Sequence, residues 1–196
     1  RGGAGLAAIP GRESEFEKSL AQARAYAEIL RPWAMNLLAG RPGAEYDPGD
    51  CETAFRASLR RAYALTRELD IRLLTEPVNS VDLPGFFLDG TQQALDLIAA
   101  LADIELGLQY DLYHMQMMEA DIASRLPAVI DQVGHIQFSD LPGRTEPSGG
   151  IDFAAMFELI DSLAYDGFVG AEYFPTRATP ETLGWLEQYR QRAAAL

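Results

Sequence analysis

The sequence predicts an α/β fold of the (β/α)8 or TIM-barrel class, with this chain supplying about the last five βα units. Three observations carry that reading. Short apolar runs alternate with stretches of helical apolar spacing along the whole chain, which means parallel strands joined by crossover helices. Four consecutive runs end in an oxygen-bearing side chain, at Glu76, Asp111, Gln137 and Glu172, about one βα unit apart. In a closed barrel the C-terminal strand ends converge on one mouth, whereas in an open sheet they spread along a line. No Gly-rich phosphate fingerprint follows the first strand, so a dinucleotide-binding sheet has no support. Closure takes about eight strands, so roughly three are expected outside this chain. Five strands alone leave unpaired edges that the rest of the barrel, or association with another copy in a homo-oligomer, must cover.

The elements follow in order. The opening "RGGAGLAAIPGRE" is Gly-rich and loop-like. Phe16, Leu20, Ala23, Ala27 and Leu30 have the spacing of one helical face. "WAMNLLAG" is a short strand stopped by Gly40, and "CETAFRASLRRAYALTREL" is helical. "IRLLTEP" is a strand, and "GTQQALDLIAALA" a helix with Thr91 as its cap candidate. "LGLQYDLYH" reads as a strand, and "DIASRLPAVIDQV" as a helix interrupted by Pro127. "GHIQFSDLPG" is a strand, "DFAAMFELIDSLAY" a helix starting at Asp152, and "FVGAEYFP" a strand. "TPETLGWLEQYRQRAAAL" closes with a helix, with Thr179 at the expected cap position.

Composition narrows the function classes. The chain has 196 residues, 48% hydrophobic and 23% charged, enough for one sizeable core and a single domain over residues 1–196. The net charge of −13 argues against a nucleic-acid partner, which calls for a basic face. No run approaches the roughly 20 apolar residues of a membrane span. The single cysteine, Cys51, rules out an internal disulfide, fits a cytoplasmic protein, and reads as an incidental helix-start residue.

Taken singly, a strand-end carboxylate is as readily a helix cap or a rim salt bridge as a functional group. Four together form an oxygen-rich set of three carboxylates and one amide. That set suits Mg²⁺ or Mn²⁺ better than Zn²⁺, which favours His and Cys. Without a cation, three converging carboxylates repel one another and one or more stays protonated. His114 lies three residues past Asp111, placed to serve the site. His135 points the same way as Gln137 but lower in the barrel, where packing is its expected role. Arg144 lies in the loop "LPGRTEPSGG". It either forms a rim salt bridge, with Glu146 or Asp140 as partner, or holds a substrate carboxylate in a bidentate contact. The methionines of "MQMMEAD" are expected to pack against the following helix or a neighbouring subunit.

The segments "GLAAIPGRESEF", "LLTEPVNSVDLPGFFLDGTQQAL", "LQYDLYHMQMMEADI", "GHIQFSDLPGRTEPSGGIDFAAMF" and "FVGAEYFP" resemble the hydroxypyruvate isomerase family, in order and over nearly the whole chain. That family belongs to the xylose-isomerase-like barrels. The resemblance implies interconversion of hydroxypyruvate and tartronate semialdehyde, with a small hydroxy-oxo acid as partner. It places the catalytic glutamates at Glu76 and Glu172, and the metal positions at Glu76, Asp111, Gln137 and Glu172. The substrate-binding residues fall on His114 and Arg144. Two positions depart from the family pattern. Phe174 stands where E-Y-K-P has lysine, and Ser80 where a histidine often follows the asparagine. These departures put a related 2-oxo-tetronate isomerase, or a ketose isomerase or epimerase, beside the first reading. A DNA-repair endonuclease of similar fold would call for a His-rich zinc site and a basic groove. This chain has two histidines, and 16 basic against 29 acidic residues.

Overall fold

The computed structural model describes residues 4–119 and 121–193. The elements are α1 (Glu13–Leu30), β1 (Ala34–Leu37), α2 (Pro48–Glu68), β2 (Arg72–Thr75), α3 (Thr91–Ala100) and β3 (Leu106–Asp111). They continue with α4 (Leu112–Met118), α5 (Ile122–Val129), β4 (Val133–Phe138), α6 (Phe153–Ser162), β5 (Val169–Ala171) and α7 (Gly184–Ala193). Among the described residues, no helix is long and apolar enough to cross a membrane.

The five strands form one sheet in the order β1-β2-β3-β4-β5, and every neighbouring pair is parallel. Sequential parallel strands with crossovers of one hand carry all their helices on one face. The opposite face can be buried only if the sheet curls. It does so: Trp33, just before β1, and Phe168, just before β5, come from opposite edges, yet their ring centroids are 5.5 Å apart. His135 of β4 lies 6.5 Å from the Trp33 ring, low in the half-barrel as its alternation predicts. Nearby, Leu74 of β2 crosses the inner face of β3 and reaches β4. A Cβ built on Gly107 would lie 2.8 Å from Leu74 Cδ2, and one built on Gly134 would collide with the same atom.

The core fills the space between the sheet's outer face and the helices. Helix α2 starts at Pro48, behind Asp47, whose side chain accepts the Gly49 N–H at 2.8 Å. It buries the stripe Phe55, Leu59, Ala62 and Leu65. Burial of each larger side chain contributes about 1.5–3 kcal/mol. Phe138 of β4 packs against Phe153 and Phe157 of α6 and Trp185 of α7, with centroid separations of 5.1–5.2 Å.

Four local readings of the sequence are corrected. Gly90, not Thr91, occupies the cap position of α3, and the Thr91 hydroxyl bonds Met115 Sδ instead. Thr179 opens a 3-10 turn, Thr179–Thr182, and makes no side-chain cap bond. Leu30 is exposed in this chain, with Tyr26 and Ile29 beside it. Strand β3 ends at Asp111, so Tyr113 and His114 belong to the first turn of α4. The Asp111 carboxylate accepts the Tyr113 N–H at 2.9 Å, which caps α4 and ends the strand there. Pro127 lies inside α5, and a 3-10 turn at Ile130–Gln132 follows. Residues 194–196 of the closing helix prediction lie outside the described residues.

Candidate active site

The strand ends meet as the sheet predicts. Residues two apart in a strand share a face, so Gln109 and Asp111 of β3 both point inward. Gln109 Nε2 donates to Glu76 Oε2 at 2.7 Å and to Gln137 Oε1 at 2.6 Å. Asn36 of β1 donates through Nδ2 to the same Glu76 oxygen, at 2.7 Å. Four adjacent strands are thereby tied together across the inner face. Asn36 and Gln109 were missed in the sequence, although Gln109 stands two residues before Asp111, on the face already marked as the site.

Glu76 and Asp111 are both buried. Burial, reinforced by the negative charge of Asp111, pushes the Glu76 carboxyl up to about 8. Burial also lifts Asp111 to about 6, against the pull of Arg144. His114 Nε2 lies 3.6 Å from Asp111 Oδ2, and burial holds the imidazole down to about 4, so the ring is neutral. Glu76, Asp111 and His114 each offer a ligand atom within 4.8 Å of the others, a group that could hold a metal ion. Gln137 joins them through Gln109.

Glu172 sits just past β5 with its side chain 54% exposed, and the Arg144 guanidinium connects it to the buried pair. One nitrogen, Nη2, lies 2.8 Å from Glu172 Oε2 and 3.4 Å from Asp111 Oδ2. The guanidinium carbon lies 5.7 Å from the Tyr113 ring centroid, within the range of a cation–π contact. Arg144 Nε and Asn36 Oδ1 are buried without a partner among the described residues.

Neither Asp140 nor Glu146 pairs with Arg144, because each is committed elsewhere. Asp140 is fully buried, and its carboxylate accepts from the backbone N–H groups of Leu141, Ser148, Gly149, Gly150 and Ile151 and from the Ser148 hydroxyl. Burial opposes its ionisation, yet these donors hold it below the ordinary carboxylate range. The cradle closes the loop that carries Arg144 at its tip. Glu146 accepts the Thr176 N–H at 3.1 Å and the Thr176 hydroxyl, and that hydroxyl leads in lowering its carboxyl. Phe174 N–H donates to the Arg144 carbonyl at 2.7 Å. The Arg144 loop and the segment that follows Glu172 are thus fastened together just beyond the ion pair. Phe174 itself is exposed, and the Ser80 hydroxyl contacts Met118 Sδ at 3.6 Å.

The described family model, the xylose isomerase-like TIM barrel, matches residues 2–189. Hydroxypyruvate isomerase of Escherichia coli K12 is 40% identical over 95% of this chain and 72% of its own length. The chain belongs to the hydroxypyruvate isomerase family of xylose isomerase-like TIM barrels. Within it, the 2-oxo-tetronate isomerase of Cupriavidus necator is 35% identical over 96% of this chain and 73% of that protein. A Brucella melitensis crystal structure described as AP endonuclease, family 2, superposes with a TM-score of 0.88 at 31% identity, covering 94% of this chain and 72% of that one. The parallel five-strand sheet is accordingly a curled part of a (β/α)8 barrel, as the convergence of strand ends predicts.

Proposed function

We propose that this chain is an isomerase that interconverts hydroxypyruvate and tartronate semialdehyde through an enediolate, with Mg²⁺ or Mn²⁺ held by Glu76, Asp111, Gln137 and Glu172. The observation that carries the reading is the buried pair Glu76 and Asp111, both pushed toward the protonated form by burial. Such a pair fits a hard divalent cation, since Glu76 and Asp111 offer carboxylate oxygens within 4.8 Å of each other. The 40% identity to the E. coli isomerase supports the choice of reaction.

The chemistry moves one hydrogen between adjacent carbons. Glu76 and Glu172 stand at the ends of different strands and share the proton work. One carboxylate takes a proton from the CH₂OH carbon next to the carbonyl, leaving the enediolate. The other returns a proton to the former carbonyl carbon. The terminal hydroxyl loses its proton and becomes the aldehyde oxygen, while the former ketone oxygen gains one. His114 donates from its ring N–H to a substrate oxygen, and Arg144 holds the substrate carboxylate. A bound divalent cation supplies Lewis-acid stabilisation of the negative charge in the intermediate.

The test is turnover of hydroxypyruvate by the full-length enzyme with Mg²⁺ or Mn²⁺, compared with its Glu172→Gln variant. Near wild-type turnover in the variant would sink the acid/base assignment. A second reading, a 2-oxo-tetronate isomerase using the same residues, draws on the C. necator relative and on Phe174, an exposed aromatic beside the Arg144 loop. Side-by-side turnover of hydroxypyruvate and a 2-oxo-tetronate separates the two.

A further inference from the structure

We propose that Asn79 is a positioning residue that fixes the ring proton of His114 on Nε2, making His114 a hydrogen-bond donor to substrate and not a metal ligand. This rests on the isomerase reading only in naming substrate as the acceptor. Asn79 lies in the loop between β2 and α3 and is fully buried. Its amide is held by three contacts. The Oδ1 accepts the Asp82 N–H at 2.7 Å. The Nδ2 donates to Asp82 Oδ2 at 3.1 Å and faces His114 Nδ1 at 2.7 Å. Asp82 Oδ2 is fixed in turn by the Tyr113 hydroxyl, at 2.7 Å.

This set admits one orientation of the amide. Turned over, its oxygen would face the Asp82 carboxylate and its NH₂ would face a backbone N–H. With the amide so fixed, an N–H points at His114 Nδ1, which must accept with its lone pair. The single proton of the neutral ring therefore sits on Nε2. A ring nitrogen carrying a proton has no lone pair for a cation. Nε2 is also the nitrogen nearest the Asp111 carboxylate, at 3.6 Å, a distance too long for a hydrogen bond between them. The N–H is thus available to a third group in the mouth. The opposite tautomer would set the Nδ1–H against the Asn79 NH₂, two donors at 2.7 Å with no acceptor between them.

The experiment is long-range ¹H–¹⁵N correlation of the imidazole rings in the ¹⁵N-labelled full-length enzyme, treated with chelator and then titrated with Mg²⁺. Loss of its signals in the His114→Gln variant assigns the His114 pattern. The expected result is a pyrrole-type Nε2 and a pyridine-type Nδ1 for His114, unchanged by Mg²⁺. A pyrrole-type Nδ1, or a shift of the proton to Nδ1 when Mg²⁺ binds, overturns the proposal. Asn79→Asp places an acceptor against Nδ1. It should exchange the two patterns and lower kcat by about 10- to 100-fold without weakening Mg²⁺ binding. An unchanged ring pattern in that variant also overturns the proposal, and if the variant does not fold, the wild-type spectrum decides alone. An Nε2–H ring in an enzyme without isomerase turnover would leave the assignment of Asn79 standing and remove the functional reading. An Nδ1–H ring in an active isomerase would do the reverse.

Discussion

Glu76 and Glu172 are the same residue at equivalent places, yet their surroundings differ. Glu76 follows β2, with β1 on one side and β3 on the other, and both neighbours send an amide to its carboxylate. It is 5% exposed. Glu172 follows β5, has β4 on one side only, and keeps an exposed side chain that Arg144 reaches from a loop. The difference teaches that a carboxylate with a strand on each side is dried and tuned, while one whose second neighbouring strand lies outside this chain is held here by a loop.

Removing each carboxylate tests this contrast most strongly. Glu76→Gln and Glu172→Gln should each lower kcat by about 10²- to 10⁴-fold, the usual share of a general acid or base. Their effects on stability should part. Measured by urea denaturation in chelator at pH 8, Glu76→Gln should raise the midpoint, and Glu172→Gln should leave it nearly unchanged. Equal shifts would erase the distinction between the buried Glu76 and the exposed Glu172.

Packing offers the next largest difference. Leu108, in the middle strand β3, is fully buried, whereas Val169 of β5 is 38% exposed. Leu108→Ala should cost about 2–5 kcal/mol, and Val169→Ala, in this chain by itself, less than about 1 kcal/mol. Chemical denaturation of the two variants checks both.

The pH dependence of the metal-free protein is the subtlest effect. Glu76 is lifted to about 8 and Asp111 to about 6. The native state therefore holds protons that the unfolded chain has released above about pH 4. The contribution of this pair to stability should be fullest below that value, fall as pH rises, and reach its floor above pH 8. Saturating Mg²⁺ should flatten the slope. A metal-free midpoint that climbs from pH 5 to pH 8 would contradict the burial of this pair.

Much of this was legible because strands impose a period. The apolar runs located all five strands, and their polar last residues marked the mouth. The tie through Gln109 was within reach of the same rule, since it stands on the face of Asp111. Asn36 was hidden within "AMNL", where one polar residue gave no sign of its cross-strand partner. Asn79 and Asp82 lie in a loop, whose path follows tertiary contacts and leaves no periodic trace. The partners of Arg144 were misjudged for a related reason. Asp140 and Glu146 are near it in sequence, but backbone N–H groups and Thr176 claim them first. The start of α4 went unseen because Asp111 serves both as a strand end and as a helix cap.

The two glycines beneath Leu74 carry a consequence for the shape of the mouth. Gly107 and Gly134 bring no side chain to the inner face, and a single leucine spreads across both. Glu76 stands two residues beyond Leu74, just past the end of β2, so the depth of the cup beneath it is fixed by atoms that are absent. A methyl group at either glycine would collide with the leucine and force it to shift. The room at the mouth is set from below as well as from the rim.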